Sequence, residues 1–74
     1  MKWDASSRQL TGTANLIGGE PMRIVLADNG MKPLKAATVG GGTNVEVQAA
    51  GGERSVLILD RPDNGRAVWR VEYQ

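Results

Sequence analysis

The sequence predicts an all-β domain of about seven antiparallel strands, folded as a small two-layer sandwich or, as the alternative, a small β-barrel. Three observations point there. Four segments alternate apolar and polar residues with period two, which places every second side chain on one face of a strand, and a fifth is an almost continuous apolar run. Turn-forming residues punctuate the chain every ~8–12 residues, the rhythm of sandwiches and barrels. No segment keeps a helical period for long: the best candidate, Lys32 to Thr38, is cut short by Pro33 and the Gly40-Gly41-Gly42 run.

In chain order, a short strand is expected at Lys2 to Ala5, followed by a turn at Ala5-Ser6-Ser7. Gln9 to Ile17 puts Leu10, Gly12, Ala14 and Leu16 on one face and Thr11, Thr13 and Asn15 on the other. Gly18-Gly19-Glu20-Pro21 ends it. Met22 to Asp28 sets Met22, Ile24 and Leu26 against Arg23 and Val25, and Asp28-Asn29-Gly30 closes that strand. A second short strand fits Lys35 to Val39, with a turn at Gly40 to Gly42. Thr43 to Ala49 directs Val45, Val47 and Ala49 away from Asn44, Glu46 and Gln48, before Gly51-Gly52. Arg54 to Asp60 contains the almost continuous run SVLIL, the signature of a strand buried on both faces. After Pro62 to Gly65, Arg66 to Tyr73 sets Ala67, Trp69, Val71 and Tyr73 against Arg66, Val68, Arg70 and Glu72. Because every gap is short, strands adjacent in sequence are expected to pair antiparallel in space.

Composition narrows function. The 74 residues form one domain, 1–74, read as a module excised from a larger protein. At this size about 60% of the unfolded chain's surface is buried, so the core is small. The chain has no cysteine and no histidine, which removes thiolate and imidazole metal ligands and the side chain suited to proton transfer near neutral pH. Nine Lys and Arg oppose eight Asp and Glu, and a net charge of +1 offers no pull toward nucleic acid or acidic lipid. No apolar run reaches the ~20 residues of a membrane span, and the opening Met-Lys-Trp-Asp-Ala does not read as an apolar signal segment. No cofactor is expected.

The triplet Asp-Asn-Gly occurs at residues 28–30 and 63–65, and Asn-Gly between alternating strands signals a tight type I′ hairpin. An EF-hand would need further oxygen ligands, but Asp28 is followed by Met31 and Lys32, and Asp63 by Arg66. Ser6, Ser7, Ser55 and the threonines lack a histidine base, and the carboxylates are scattered, so no catalytic set is expected. The triple glycine lacks the Lys-Ser/Thr of a phosphate loop.

Two surfaces carry the remaining candidates. Trp3, Trp69 and Tyr73 are the only aromatics. They are read as core, with a sugar-stacking platform as the alternative. Arg66, Val68 and Arg70 form an outward row on the last strand, and Arg23 and Val25 a similar row on the third. Mixed Arg and Val suits a contact surface, and equally a solvated sheet face whose edge charges oppose aggregation.

The stretches WDASSRQLTGTANL, GGEPMRIVLAD and GRAVWRVEY carry a resemblance. Trp3-Asp4, Arg8, Leu10, Gly12-Thr13, Gly19-Glu20-Pro21 and the final alternating strand are similar to the small C-terminal immunoglobulin-like β-sandwich domains of large bacterial glycoside hydrolases. The resemblance covers most of the chain and transfers no site residues. The Cys…Trp…Cys pattern of true immunoglobulin domains is absent. It implies a non-catalytic accessory domain that packs on or orients an adjacent catalytic domain, in a secreted or periplasmic protein. A carbohydrate-binding module is the second reading, and a small nucleic-acid-binding barrel the third.

Overall fold

The computed structural model describes residues 1–39 and 42–74. It holds seven strands, and no helix among the described residues: β1 (Lys2–Asp4), β2 (Gln9–Leu16), β3 (Met22–Ala27), β4 (Pro33–Val39), β5 (Asn44–Gly51), β6 (Arg54–Asp60) and β7 (Gly65–Tyr73). They form two antiparallel sheets packed as a small sandwich. Sheet A has the order β1-β2-β7-β4, and sheet B the order β3-β6-β5. Each expected strand is present, with ends displaced by no more than a few residues.

The pairing of sequence neighbours is where expectation fails. Only β1–β2 and β5–β6 are hairpins; β2 to β3, β3 to β4, β4 to β5 and β6 to β7 all pass from one sheet to the other. Loop length does not separate the two cases. Sheets stack ~10 Å apart, a gap that three or four extended residues already span. The partners are nested: β2 pairs with β7, β3 with β6, and β4 lies along β5 across the layers. The fold is thus a long ribbon rolled around one core. Relative to the constant-type immunoglobulin order, β5 and β7 have exchanged places.

The core follows the alternation. Ala14 and Leu16 of β2, Leu26 of β3, Leu57 and Leu59 of β6, and Ala67, Trp69, Val71 and Tyr73 of β7 are buried together. β7 is paired on both sides, and it supplies the two largest of these groups. Gly12 faces Trp69 across the β2–β7 ladder. A methyl group on Gly12 would stand 2.6 Å from the indole Cε2, so only glycine lets the ring lie flat against β2. β6 is central to sheet B, yet it is not buried on both faces: Ser55, Leu57 and Leu59 point inward, while Val56 and Ile58 stay half-exposed on the outer face.

The two Asp-Asn-Gly triplets diverge. At the first, Asn29 (φ 52°) and Gly30 (φ 79°) are both left-handed, and the Met31 amide donates to the Asp28 carbonyl at 2.9 Å, as in a type I′ turn. This turn joins strands in different sheets, so it is not a hairpin. The second triplet is not a tight turn. Asn64 keeps negative φ, and its side-chain Oδ1 accepts from the Gly18 amide at 2.8 Å, while the Gly19 amide donates to the Arg61 carbonyl at 2.9 Å. The triplet's polar group serves the neighbouring loop instead of its own. The paired-strand I′ turn forms at Gly52 and Glu53 (φ 58° and 57°), between Gly51 and Arg54 of the β5–β6 hairpin. The turn expected at Gly40 to Gly42 includes residues 40 and 41, which lie outside the described residues.

Candidate functional site

The polar centre nearest to a catalytic arrangement is internal. Asp28 ends β3, and its carboxylate accepts from the Ser55 hydroxyl at 2.9 and 3.0 Å, with both residues buried. The Asp28 amide also donates to the Glu53 carbonyl at 2.8 Å. The pair ties the β3 terminus to the β5–β6 hairpin. Ser55 is 1% exposed, so its hydroxyl is not presented to solvent. Among the described residues no three acidic side chains converge on a common point.

The residues of the expected contact surface do not form one surface. Arg66, Val68 and Arg70 stand on the outer face of sheet A, flanked by Asn15, Thr13 and Thr11 of β2. Val39 and Ala37 of β4 flank Val68 and Arg70 on the other side. Gln9 donates to the Glu72 carboxylate at 3.3 Å, and Arg70 Nε lies 3.9 Å from the same oxygen. This face is mainly polar. Arg23 and Val25 lie on the outer face of sheet B, on the far side of the sandwich. There Val25 pairs with Val56, and Arg23 with Ile58. Gln48 and Glu46 of β5 complete the two rows. Val25, 64% exposed, joins half-exposed Val56 and Ile58 in an apolar patch bordered by Arg23, Arg54, Glu46 and Gln48. The signal for this patch was present in SVLIL: a strand apolar on both faces has one face to cover from outside.

The aromatics separate as well. Trp69 is 3% exposed and Tyr73 6%, whereas Trp3 is 40% exposed. Trp3 meets Tyr73 edge-on, with ring centroids 5.6 Å apart. Sheet A has one more strand than sheet B, and β4 lies against β5 at one side, so β1 overhangs at the other with no strand facing it. Beneath the overhang runs an open groove of about 230 Å³ lined by Met1, Trp3, Leu10, Val25, Asn29 and Tyr73, among others. It is mostly apolar, with Asn29 among its lining residues. Sequence reasoning missed this groove, because it exists only through the unequal strand count of the two sheets.

Tyr73 completes the geometry. Its hydroxyl is buried without a hydrogen-bond partner, as is the indole N–H of Trp69. Burial raises the Tyr73 phenol above its ordinary value, and the negative charge of Asp28 adds to the rise. At the other end of β1, Asp4 accepts from the Ser6 hydroxyl at 2.7 Å and the Ser6 amide at 3.0 Å. The Ser6 hydroxyl and the Ser7 and Ser6 amides hold the Asp4 carboxyl below its ordinary range. This is a turn-stabilising arrangement at an exposed loop.

Comparison with protein-family models, curated proteins and solved structures returns no match to this chain.

Proposed function

We propose that this chain is a non-catalytic β-sandwich module that packs against a neighbouring catalytic domain, that of a carbohydrate-active enzyme, through the outer face of sheet B. The supporting observation is the Val25–Val56–Ile58 patch with its rim of Arg23, Arg54, Glu46 and Gln48. An apolar centre with a polar rim that includes arginine is the usual composition of a contact between protein surfaces. The resemblance to glycoside hydrolase accessory domains supplies the nature of the neighbour. Among the described residues the hydroxyls bonded to carboxylates are Ser55, which is buried, and Ser6, whose partner Asp4 also accepts the Ser6 amide of its own turn, and this supports a non-catalytic role.

The experiment uses Ile58→Lys. The substitution faces outward, so it should change the stability of the isolated chain by about 1 kcal/mol or less. In the native polypeptide it should release the module from its neighbour, read as faster limited proteolysis at the junction. A native polypeptide without a catalytic domain overturns the proposal, as does turnover of aryl glycosides by the 74-residue chain alone.

One observation favours a second reading, carbohydrate binding: Trp3 is a partly open aromatic beside a groove that Asn29 also lines. Oligosaccharide-induced quenching that disappears in Trp3→Ala would select it over docking.

A further inference from the structure

The sandwich has four sheet edges, and three of them are protected. β1 is only three residues long. β4 begins with Pro33, carries Lys35, and is irregular between them. β5 is irregular near its end and lies along β4. Short strands, proline, lysine and irregular pairing are the devices by which edges avoid further pairing. β3 has none of these, and its one charge, Arg23, lies on the outer face of the sheet. Its six residues, MRIVLA, pair with β6 without a register shift and include no lysine, proline or glycine. Beside this bare edge β1 overhangs, with Trp3 and the 230 Å³ groove directly above the position that a fourth strand of sheet B would occupy.

We propose that the β3 edge is a strand-addition site, which takes an extended peptide segment from the neighbouring polypeptide and turns the four-on-three sandwich into a four-on-four one. The backbone of β3 supplies the ladder hydrogen bonds, and the groove supplies the side-chain selection. Every second residue of the added strand faces inward, against Trp3 and Leu10, and is apolar. The alternate residues face outward beside Arg23, which forms no ion pair among the described residues, so an acidic side chain there complements it. A second copy of this chain is a poor occupant. Face-on β3–β3 pairing about a twofold axis would drive the overhanging β1 of each copy into β2 of the other. A six-residue edge alone also falls short of the ~1,200 Å² of a stable interface. A tethered segment overcomes that weakness through its effective concentration.

The inference rests on the docking reading above but has its own test. The probe is a capped peptide of about six residues, a usual strand length, with valine alternating with threonine and one glutamate among the threonines. At millimolar peptide, alternate amides of Met22 to Ala27 should exchange hydrogen at least ~10-fold more slowly, and Trp3 emission should shift to the blue while Trp69 stays silent. Trp3→Ala should weaken binding by about tenfold or more. Arg23→Glu should reverse the preference from the glutamate peptide to a lysine one. Unchanged exchange along β3, or protection on β4 or β5 instead, overturns the proposal. Peptide binding should survive Ile58→Lys. If the peptide fails while the native polypeptide still docks through Ile58, strand addition falls and the docking reading stands.

Discussion

Trp69 and Trp3 project from the same face of the same sheet, yet one is 3% exposed and the other 40%. Trp69 sits on β7, paired on both sides, with β6 among the strands beneath it. Trp3 sits on β1, which overhangs a three-stranded partner sheet. Their nearest neighbours differ accordingly: Trp69 lies flat on Gly12, while Trp3 leans edge-on against Tyr73. Burial of a large aromatic is therefore decided here by whether the opposite layer has a strand at that place, and not by residue type or strand periodicity. One tryptophan fills the core, and the other stands half-open beside the groove.

The contrast is broken most directly at Trp69. Replacing it with alanine should cost about 3–5 kcal/mol, the range for emptying a large aromatic site. Against the 5–15 kcal/mol of a typical domain, and in one this small, that loss brings the chain close to unfolding. Equilibrium denaturation measures it; a Trp69→Ala protein with an unchanged midpoint would mean that the indole bears little of the core. Gly12→Ala attacks the same contact from the other side. Its methyl group would press on the indole, and overpacking of this kind costs about 1–3 kcal/mol. A double variant, Gly12→Ala with Trp69→Ala, should lose less than the sum, because the methyl group then enters vacated space.

Strand positions, the inward faces and the core role of Trp69 were legible because alternation is a local property. Connectivity was not. Four of the six links cross between layers, two of them through gaps of the same length as the β1–β2 hairpin and two through gaps one residue longer, so loop length did not distinguish crossings from hairpins. The two Asp-Asn-Gly triplets show the limit of local turn chemistry. Residues 28–30 adopt the left-handed pair that the triplet favours, but at 63–65 the Asn64 side chain is recruited by the Gly18 amide, and the backbone follows. Conversely, Gly52-Glu53 forms the I′ hairpin turn without the asparagine. The Val25–Val56–Ile58 patch was half-legible in SVLIL. The groove under β1 was invisible, since its cause is a difference in strand count between sheets.

At Trp3 the expected effect is smaller. Trp3→Ala removes one edge-on aromatic contact, worth about 0.5–1.5 kcal/mol, from a site already open to water. The melting midpoint should fall by only a few degrees, since 1 kcal/mol corresponds to roughly 4–8 °C in a domain of this size. A loss as large as that of Trp69→Ala would show that the overhang belongs to the core and is no open site.

The smallest effect lies between the two tryptophans, at Tyr73, and shows only as a pH dependence at alkaline pH. The unfolded chain loses the phenol proton near the ordinary value of 10.0, while burial and then the Asp28 charge keep the folded phenol protonated to higher pH. Above that ordinary value the native state binds more protons than the unfolded one, so stability falls as pH rises. The contribution is intact below pH ~10 and is lost between the unfolded value and the raised folded one. Lysines titrate in the same range, so the measurement is a difference: denaturant midpoints from about pH 9 to 12 for the parent and for Tyr73→Phe. The parent should lose stability more steeply than Tyr73→Phe. Trp3→Ala should reduce the excess, because removing the ring that abuts Tyr73 admits water to the phenol and lowers its folded value toward the ordinary one. Parallel alkaline limbs in the parent and Tyr73→Phe, with tyrosinate absorbance appearing at the ordinary value, would show that the phenol is solvated and that the groove reaches deeper than Trp3.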